Sequence, residues 1–337
     1  MRPAWWDWTA REYEMFQIDP IQNLSGLMPR RLTSFQTLAL LTTGVTYVLI
    51  LVGGLVRASG AGLGCPDWPK CFGSWIPPAS VADLPAGFDP AQFNPTLMWT
   101  EYLNRVLGVI VGLLIFATLV SAFRHHRRTP SILWPTLAAF LLVGFQGWLG
   151  GVVVEHELAA WIVTAHLLVA LVIVSLLLFS TVYAFFGTGT SEPSPRRSPI
   201  IWSSLALIIL TLAQVTLGAQ VRGGVDDALI HGTPRARALA SVGAFDTWHR
   251  EMALVVLATT VAVFLLVRTR HARERPLTHV AGVVAALVLA QVGIGLWMAY
   301  SALTPAAQVA HLTTSSLVLG AETVLFLLAR WLPPAQD

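Results

Sequence analysis

Two histidines, His166 and His311, occupy the same Ala-His-Leu context at an interval of 145 residues (311 − 166 = 145). Asn104 and His249 are separated by the same interval. Imidazole is the commonest metal-ligating side chain, so each half of the chain presents a pair of positions that suit ligation, although one of the four positions is Asn. The interval also relates these further pairs: Arg105 and Arg250, Gln146 and Gln291, Gly150 and Gly295. We therefore predict an internally duplicated chain with one altered ligand position.

The number of ligating side chains indicates which metal group they would bind. Two facing imidazoles suit axial ligation of haem iron, whereas zinc requires three or four ligands, and no cysteine or carboxylate cluster near these histidines completes such a set. A lone histidine in a membrane helix is more often a packed, hydrogen-bonded residue, but the recurrence of its context favours ligation here. The sequence predicts a haem-binding pair at His249 and His311 and an altered pair at Asn104 and His166.

The composition indicates whether these residues lie in water or in a lipid bilayer. Of the 337 residues, 55% are hydrophobic and 12% are charged, and the mean hydropathy is +0.66. A helix crosses the bilayer core with about 20 apolar residues, and such stretches occur near residues 35–56, 98–123, 132–154, 158–186, 199–221, 247–267, 279–303 and 305–332. We predict an all-α membrane protein with eight transmembrane helices in a lipid bilayer.

Charged residues in the connections predict the orientation. Lys and Arg accumulate in short cytoplasmic connections, and here they fall in alternate connections, so both termini are expected to face the cytoplasm. This asymmetry explains the pI near 9.2, and no nucleic-acid partner is needed. The first 30 residues lack a signal-peptide pattern and are rich in aromatic residues, which suits an interfacial segment. The arginines that predict the cytoplasmic side are Arg30, Arg31, Arg124, Arg127, Arg128, Arg196, Arg197, Arg268, Arg270, Arg273, Arg275 and Arg330.

The repeat also predicts the architecture. The sequence GGLVR at 53–57 resembles GAQVR at 218–222, here at an interval of 165, so the first outer loop is about 20 residues longer than its counterpart. Each half has an even number of helices, which predicts two four-helix bundles related by a pseudo-twofold axis along the membrane normal. Glycines at helical spacing, such as Gly108 and Gly112, suit close helix contacts. The predicted division is 1–32, a cytoplasmic or interfacial segment; 33–187, the first bundle; 188–198, a cytoplasmic linker; 199–332, the second bundle; and 333–337, a tail.

Polar residues accompany the ligand positions. All four positions fall in the first turns of even-numbered helices, at most about 10 Å below the outer interface at 1.5 Å of rise per residue. Glu101 and Asp246 lie three residues before Asn104 and His249, on the same helix face. Arg57, Arg105, Arg222 and Arg250 lie at the same level. They suit pairing with haem propionates or simple snorkelling to the interface; Glu322 lies deeper, and its pattern indicates no role.

The long outer loop carries the two cysteines of the chain, Cys65 and Cys71, in GLGCPDWPKCFGSWIPP. On the outer face they can form a disulfide. Such a bridge would staple a Pro-rich loop, and a redox or haem-handling role is the alternative. The sequence contains no Cys-x-x-Cys-His motif for covalent haem attachment.

The run GGLVRASGAGLGCPDWPKCFGSWIPP, the EYLNR of the second helix and the AHL, HR and AHL of later helices resemble the haem A synthase family. These membrane enzymes convert haem O to haem A for cytochrome oxidase, and the resemblance spans about residues 33–330. It implies a haem b cofactor held by His249 and His311 in the second bundle and haem O bound in the first. The implied reaction is successive hydroxylation of the C8 methyl group, giving a geminal diol that loses water to leave a formyl group.

The resemblance also implies roles and partners. Glu101 matches the family's acidic residue, and Cys65 and Cys71 match its outer-loop cysteine pair. A bacterial cell membrane, haem sites near the outer face, a membrane electron donor, contact with haem O synthase (protohaem farnesyltransferase) and a homo-oligomer are the further expectations. Many family members have His where this chain has Asn104, and an amide is a poor iron ligand. The first site is therefore expected to have an open position beside Asn104 for oxygen activation, unless the amide only hydrogen-bonds water or substrate.

Two other classes share some of these features. A di-haem b-type electron carrier would use the same bundles and histidines, but it would keep both ligand pairs and place its haems toward opposite faces. All four positions here are predicted at one level, and one is Asn. A transporter would more often show broken helices at the midplane and an inverted repeat, and neither pattern is evident.

Overall fold

The computed structural model describes residues 31–187, 195–301 and 303–332. Most of the predicted N-terminal segment 1–32, residues 188–194 of the predicted linker and the tail 333–337 lie outside the described residues, so those predictions are not tested. The described ranges are helical apart from turns, loops and one isolated bridge between Cys71 and Ser74.

Within the described ranges, eight helices are long and apolar enough to cross a membrane, which confirms the predicted all-α, multi-pass class. Prolines in the first turn begin five of them, where the missing backbone N–H costs no helical hydrogen bond. Thr33 and Gln36 form a capping box at the start of the first helix. We number the helices α1 Ser34–Ala58, α2 Pro95–His126, α3 Pro130–Glu155, α4 Ala160–Phe186, α5 Ser198–Ile230, α6 Ala244–Arg270, α7 Arg275–Tyr300 and α8 Pro305–Trp331.

Two helix boundaries differ from the prediction. Helix α5 continues past residue 221 to Ile230, so Arg222 lies within the helix rather than at its end. Gly223 is buried, and a Cβ there would lie 2.5 Å from Cβ of Ala160, so this glycine allows close contact with α4 and does not end the helix. Asn104 lies in the third turn of α2, further from its start than predicted, because α2 begins at Pro95 rather than near residue 98.

The helix contacts are compatible with two four-helix bundles. Helices α1, α2, α3 and α4 contact one another in a closed ring, as do α5, α6, α7 and α8. Between the rings, α4 contacts α8, α1 contacts α8 and α4 contacts α5. Exchanging α1 with α5 and α4 with α8 maps these contacts onto one another, as a pseudo-twofold axis requires.

The two ends of the bundles differ in charge. We call the end with the C-termini of odd-numbered helices the cysteine-loop end and the opposite one the arginine end. The arginines that predicted the cytoplasmic side all lie at or near the arginine end, apart from Arg30, which is outside the described residues. Four arginines at the cysteine-loop end each contact a carboxylate, in the pairs Arg57–Asp226, Arg222–Asp226, Arg105–Glu101 and Arg250–Asp246. The side of the membrane that each end faces remains a prediction.

One ion cluster joins the two halves. Arg57 of α1 and Arg222 of α5 both contact the carboxylate of Asp226, the latter at 2.8 Å. Arg222 also donates a hydrogen bond to Oε1 of Gln308 on α8. The side chains are about three-quarters buried. A single carboxylate therefore separates two guanidinium groups at the interface between the halves.

We expect the change Asp226→Asn to weaken this interface, because the two guanidinium groups lose the negative charge between them. A loss of about 1–3 kcal/mol is typical for one partner of a largely buried charged hydrogen bond. Thermal unfolding of the purified protein in detergent measures it. Asp227→Asn changes the exposed neighbouring residue and should leave the midpoint unchanged; equal effects of the two changes would contradict the role of the cluster.

Candidate haem-binding site

The structure brings His249 of α6 and His311 of α8 together. Their ring centroids lie 6.3 Å apart, with the ring planes at 65°. An iron atom between two imidazoles, with metal–nitrogen bonds of about 2 Å and ring centres about 1 Å further out, holds the centroids about 6 Å apart. The spacing of this pair therefore fits axial ligation of one haem.

A glycine of the neighbouring odd-numbered helix lies against each ring. A Cβ added at Gly218 of α5 would lie 2.9 Å from Cε1 of His249, and one added at Gly295 of α7 would lie 3.3 Å from Cε1 of His311. A real side chain at either position would displace the ring. These glycines therefore allow the helix backbone itself to form the wall behind each imidazole.

One helical turn before each glycine, a glutamine contacts the same histidine. Gln214 donates from Nε2 to the backbone carbonyl of His249 at 2.9 Å. Gln291 does the same to His311 at 3.0 Å. Sequence reasoning missed this motif, Gln-x-x-x-Gly, although the 145-residue repeat of Gln146 and Gln291 was a visible signal.

The first bundle repeats this arrangement at His166. Gly150 of α3 lies behind the ring, 3.6 Å from Cε1 to an added Cβ, and Gln146 donates to the carbonyl of His166 at 2.8 Å. Asn104 occupies the remaining position beside Gly53 of α1, with its Oδ1 at 3.9 Å from an added Cβ. The glycine of the motif is thus present on all four odd-numbered helices.

Glu101, the predicted catalytic carboxylate, is buried against the cysteine loop. Its Oε2 accepts a hydrogen bond from the backbone N–H of Cys65 at 2.9 Å, and its Oε1 accepts one from Nε of Arg105 at 3.1 Å. It lies one turn before Asn104 on α2. Glu101 therefore stands between the outer loop and the altered ligand position.

The guanidinium group of Arg105, a predicted propionate partner, contacts Glu101 and the cysteine loop. Its guanidinium group donates to Glu101 and to the backbone carbonyls of Cys65, Asp67 and Lys70. An arginine has five N–H donors, and these bonds occupy all of them. Arg105 holds the cysteine loop on α2, and no donor remains for a propionate in this arrangement.

The cysteine loop has a small core of its own. Cys65 and Cys71 have their Cα atoms 4.8 Å apart, within the range for a disulfide. Phe72 and Met98 are fully buried beside them. A Cβ at Gly64 would lie 2.5 Å from the backbone of Leu97, so the loop approaches the first turn of α2 as closely as a glycine permits. The loop is a packed cap on the first bundle.

The remaining arginines differ in exposure. The side chain of Arg250 is 60% exposed and contacts Asp246 at 2.8 Å, so its surroundings suit snorkelling. Arg57 and Arg222 are largely buried at the junction of the halves, and their Nε atoms have no hydrogen-bond partner within the described residues. Of the four predicted propionate partners, Arg57 and Arg222 therefore each combine burial with an unpaired Nε donor.

Open space lies along α2 below Asn104. A Cβ at Gly108 or Gly112 would meet no atom within 4 Å, so the prediction that these glycines serve close helix contacts is wrong. The 145-residue interval relates them to Ala253 and Leu257 of α6, and Leu257 packs on the core of the second bundle. The first bundle therefore has a glycine, Gly112, where Leu257 fills the second bundle.

The family model described as cytochrome oxidase assembly protein matches residues 36–323. The chain belongs to this family of cytochrome oxidase assembly proteins.

Three relatives of the chain carry the same name. It is 29% identical to a protein named Heme A synthase from Methylobacterium radiotolerans, over 91% of this chain and 93% of the relative. It is 28% identical to a protein of that name from a strain of Methylorubrum extorquens, over 86% and 85% of the two chains. A Heme A synthase from Geobacillus kaustophilus is 34% identical over 36% of this chain and 33% of its own length.

Glu322, to which the sequence assigned no role, lies within the second bundle of this family member. Its side chain is fully buried, and Oε1 accepts a hydrogen bond from Oγ1 of Thr211 on α5 at 2.9 Å. It follows His311 by 11 residues, which places it on the same helix face about 16 Å further along α8. Glu322 therefore pairs with Thr211 deep in the second bundle, away from His249 and His311.

We expect Gly218→Ala to lower haem retention in the second bundle, because the new methyl group would lie 2.9 Å from the His249 ring and would displace it. The haem-to-protein ratio of the purified protein, from its visible absorption, measures the loss. Gly293→Ala is the matched control, since a Cβ there meets no atom within 4 Å. If both variants kept full haem content, the close approach of α5 to His249 would not matter for binding.

Proposed function

We propose that the chain is a haem A synthase, a membrane oxidoreductase that converts the C8 methyl group of haem O into a formyl group. The observation that carries the proposal is a matched pair of histidines in one bundle and an altered pair in the other, within a member of this family. The relatives named Heme A synthase support it, since one of them aligns over 91% of this chain.

The second bundle is proposed to hold haem b as a permanent cofactor. His249 and His311 would ligate the iron, and Gly218 and Gly295 would keep the rings in place. Bound there, haem b supplies a one-electron redox centre. Arg57 and Arg222, which keep free donors at the same end, are the proposed partners for propionates.

The first bundle is proposed to receive haem O as a substrate. His166 is its single imidazole ligand, and the short Asn104 amide leaves the opposite side less obstructed than a second imidazole would. Gly108 and Gly112 leave room along α2 for a porphyrin with a bulky farnesyl-derived chain. A substrate that must leave is held by fewer ligands than a cofactor that stays.

Glu101 is proposed to act at the substrate's reacting edge. Each of two hydroxylations would replace a C–H bond of the methyl group by a C–OH bond, with dioxygen as oxidant: one oxygen atom enters the product, and the other leaves as water with two protons and with two electrons from the membrane donor. The geminal diol formed by the second hydroxylation loses water to give the aldehyde. A carboxylate one turn from Asn104 is placed to move a proton in such a step. Its contacts with Cys65 and Arg105 would couple that event to the cap.

The proposal includes a direction in the membrane. The arginine end would face the cytoplasm by the positive-inside rule, and the cysteine loop and both haem sites would lie near the outer face of a bacterial cell membrane. There Cys65 and Cys71 would be bridged. A membrane electron-transfer partner, haem O synthase as the source of substrate, and a homo-oligomer complete the proposed surroundings.

Extraction and chromatography of the haems from purified protein test the proposal directly. Haem B together with haem O or haem A is the expected result. Haem B alone, at two per chain, would contradict the synthase and favour a di-haem electron carrier.

We expect Glu101→Gln to keep the haem of the second bundle and to reduce haem A formation by about 100-fold or more, the usual contribution of a proton-transferring side chain. Product is measured by chromatography after expression with haem O. Asp246→Asn is the matched control, because Asp246 precedes His249 as Glu101 precedes Asn104 and pairs with an exposed arginine. Full activity of the Gln variant would exclude a catalytic role for Glu101.

We expect Gly112→Leu, which copies the Leu257 of the second bundle, to block the substrate site selectively. The variant should contain the cofactor haem at the normal ratio but little haem O or haem A, because the added side chain fills the space below Asn104. Extracted haems are again the measurement, and Leu257→Gly in the second bundle serves as the reciprocal control. Unchanged haem O content would show that the substrate does not occupy this space.

A further inference from the structure

Three glutamines make the same contact with the three histidines of the sites. Each donates from Nε2 to the backbone carbonyl of one histidine on the next even-numbered helix. The pairs are Gln146–His166 at 2.8 Å, Gln214–His249 at 2.9 Å and Gln291–His311 at 3.0 Å.

Each of these six residues also has a buried polar side-chain atom without a hydrogen-bond partner within the described residues. The Nδ1 atoms of the three histidines and the Oε1 atoms of the three glutamines are buried and have no hydrogen-bond partner within the described residues. Leaving a buried donor or acceptor unpaired costs about 1–3 kcal/mol. With Nε2 toward an iron, Nδ1 carries a proton and is a donor, whereas Oε1 of glutamine is an acceptor. Each site therefore contains one donor and one acceptor of complementary type.

The fourth position lacks both members of the pair. The interval of 165 that relates Gly53 to Gly218 also relates Leu49 to Gln214 (214 − 165 = 49). Leu49 packs against the apolar core that contains Val111 and Ile115. A glycine lies behind all four positions (Gly53, Gly150, Gly218 and Gly295), but the glutamine is absent at the one position where the histidine is absent. A glutamine needed only to pack the helices would have no reason to follow the histidine in this way.

We propose that Gln146, Gln214 and Gln291 are positioning residues, whose Oε1 atoms accept the Nδ1–H of the haem-ligating histidines. A small rotation of the glutamine side chain, or one buried water between Oε1 and Nδ1, would complete this hydrogen bond. Ligating histidines commonly donate their other ring N–H to such an acceptor, which selects the tautomer, orients the ring and raises the basicity of the ligand. The inference rests on the proposed function, since it requires that these histidines ligate haem.

The glutamine thereby has two separable tasks. Its Nε2 holds the backbone of the ligand-bearing turn, and its Oε1 holds the ring. Replacement of Gln214 by Leu removes both tasks, while replacement by Glu keeps an acceptor for the ring. A pure backbone contact predicts that the Leu and Glu variants behave alike, and the proposed contact predicts that they differ.

The experiment compares full-length wild-type protein with the Gln214→Leu and Gln214→Glu variants. For the Leu variant we expect haem affinity in the second bundle to fall about 10- to 100-fold, the usual effect of losing a partner of a metal ligand. Its haem should also have a higher midpoint potential, because a less basic imidazole stabilises ferric iron less. The Glu variant should keep the affinity and show a midpoint potential at or below that of the wild type.

Gln220→Leu is the matched control. Gln220 lies on the same helix, six residues further on, and donates to Oγ1 of Thr164 at 3.2 Å rather than to a histidine. Its haem affinity, midpoint potential and low-spin EPR signal should match the wild type. Equal losses in the Leu and Glu variants at Gln214, or a Gln214→Leu variant like the wild type, would overturn the proposal. A wild-type protein without haem b would instead refute the proposed function itself.

The first bundle offers a reciprocal experiment. We expect Leu49→Gln with Asn104→His to create a low-spin haem signal beyond that of the second bundle and to raise haem retention above that of Asn104→His alone. The single change Leu49→Gln should have no such effect, because no ring is present to use the new acceptor. If Asn104→His alone equalled the double variant in EPR signal and haem content, a glutamine partner would be unnecessary at this position.

Discussion

The close approach of each odd-numbered helix to the ligand position on the next helix is the constraint on which the rest of the structure depends. Gly218 and Gly295 place backbone directly behind the rings of His249 and His311, and the two rings stand 6.3 Å apart. A haem site of this kind tolerates little error, because metal–ligand distances vary by only about 0.2 Å. The membrane supplies no hydrophobic force between helices, so small residues and polar contacts must set this distance.

The two bundles use one scaffold for two purposes. Both keep the glycine wall, and three of the four positions keep a glutamine on the carbonyl of the ligand residue. The first bundle departs at Asn104, at Leu49 and at the space beside Gly112, and all three changes lie on α1 or α2. Under the proposed function these changes would weaken the hold on a bound porphyrin or enlarge its site, as a substrate that must enter and leave requires.

The cysteine loop adds a cap to the first bundle alone. Arg105 donates hydrogen bonds to the carbonyl groups of the loop, and Glu101 accepts one from the backbone N–H of Cys65. The second bundle has the same acid and arginine spacing in Asp246 and Arg250, but there the arginine is mainly exposed. A longer connection thus converts a surface ion pair into an anchor for a loop above the proposed substrate site.

The sequence by itself determined the membrane class, the eight helices and the 145-residue repeat that relates Asn104 to His249 and His166 to His311, because hydropathy and a fixed interval are properties of the chain read in order. It misjudged the end of α5 beyond Arg222 and the packing of Gly108 and Gly112, because both depend on residues far away in the chain. Only the tertiary structure decided that Arg57 and Arg222 share Asp226, that Gln214 holds the carbonyl of His249, and that open space lies beside Gly112. Such contacts depend on the rotation and depth of each helix in its bundle, and packing between helices sets both.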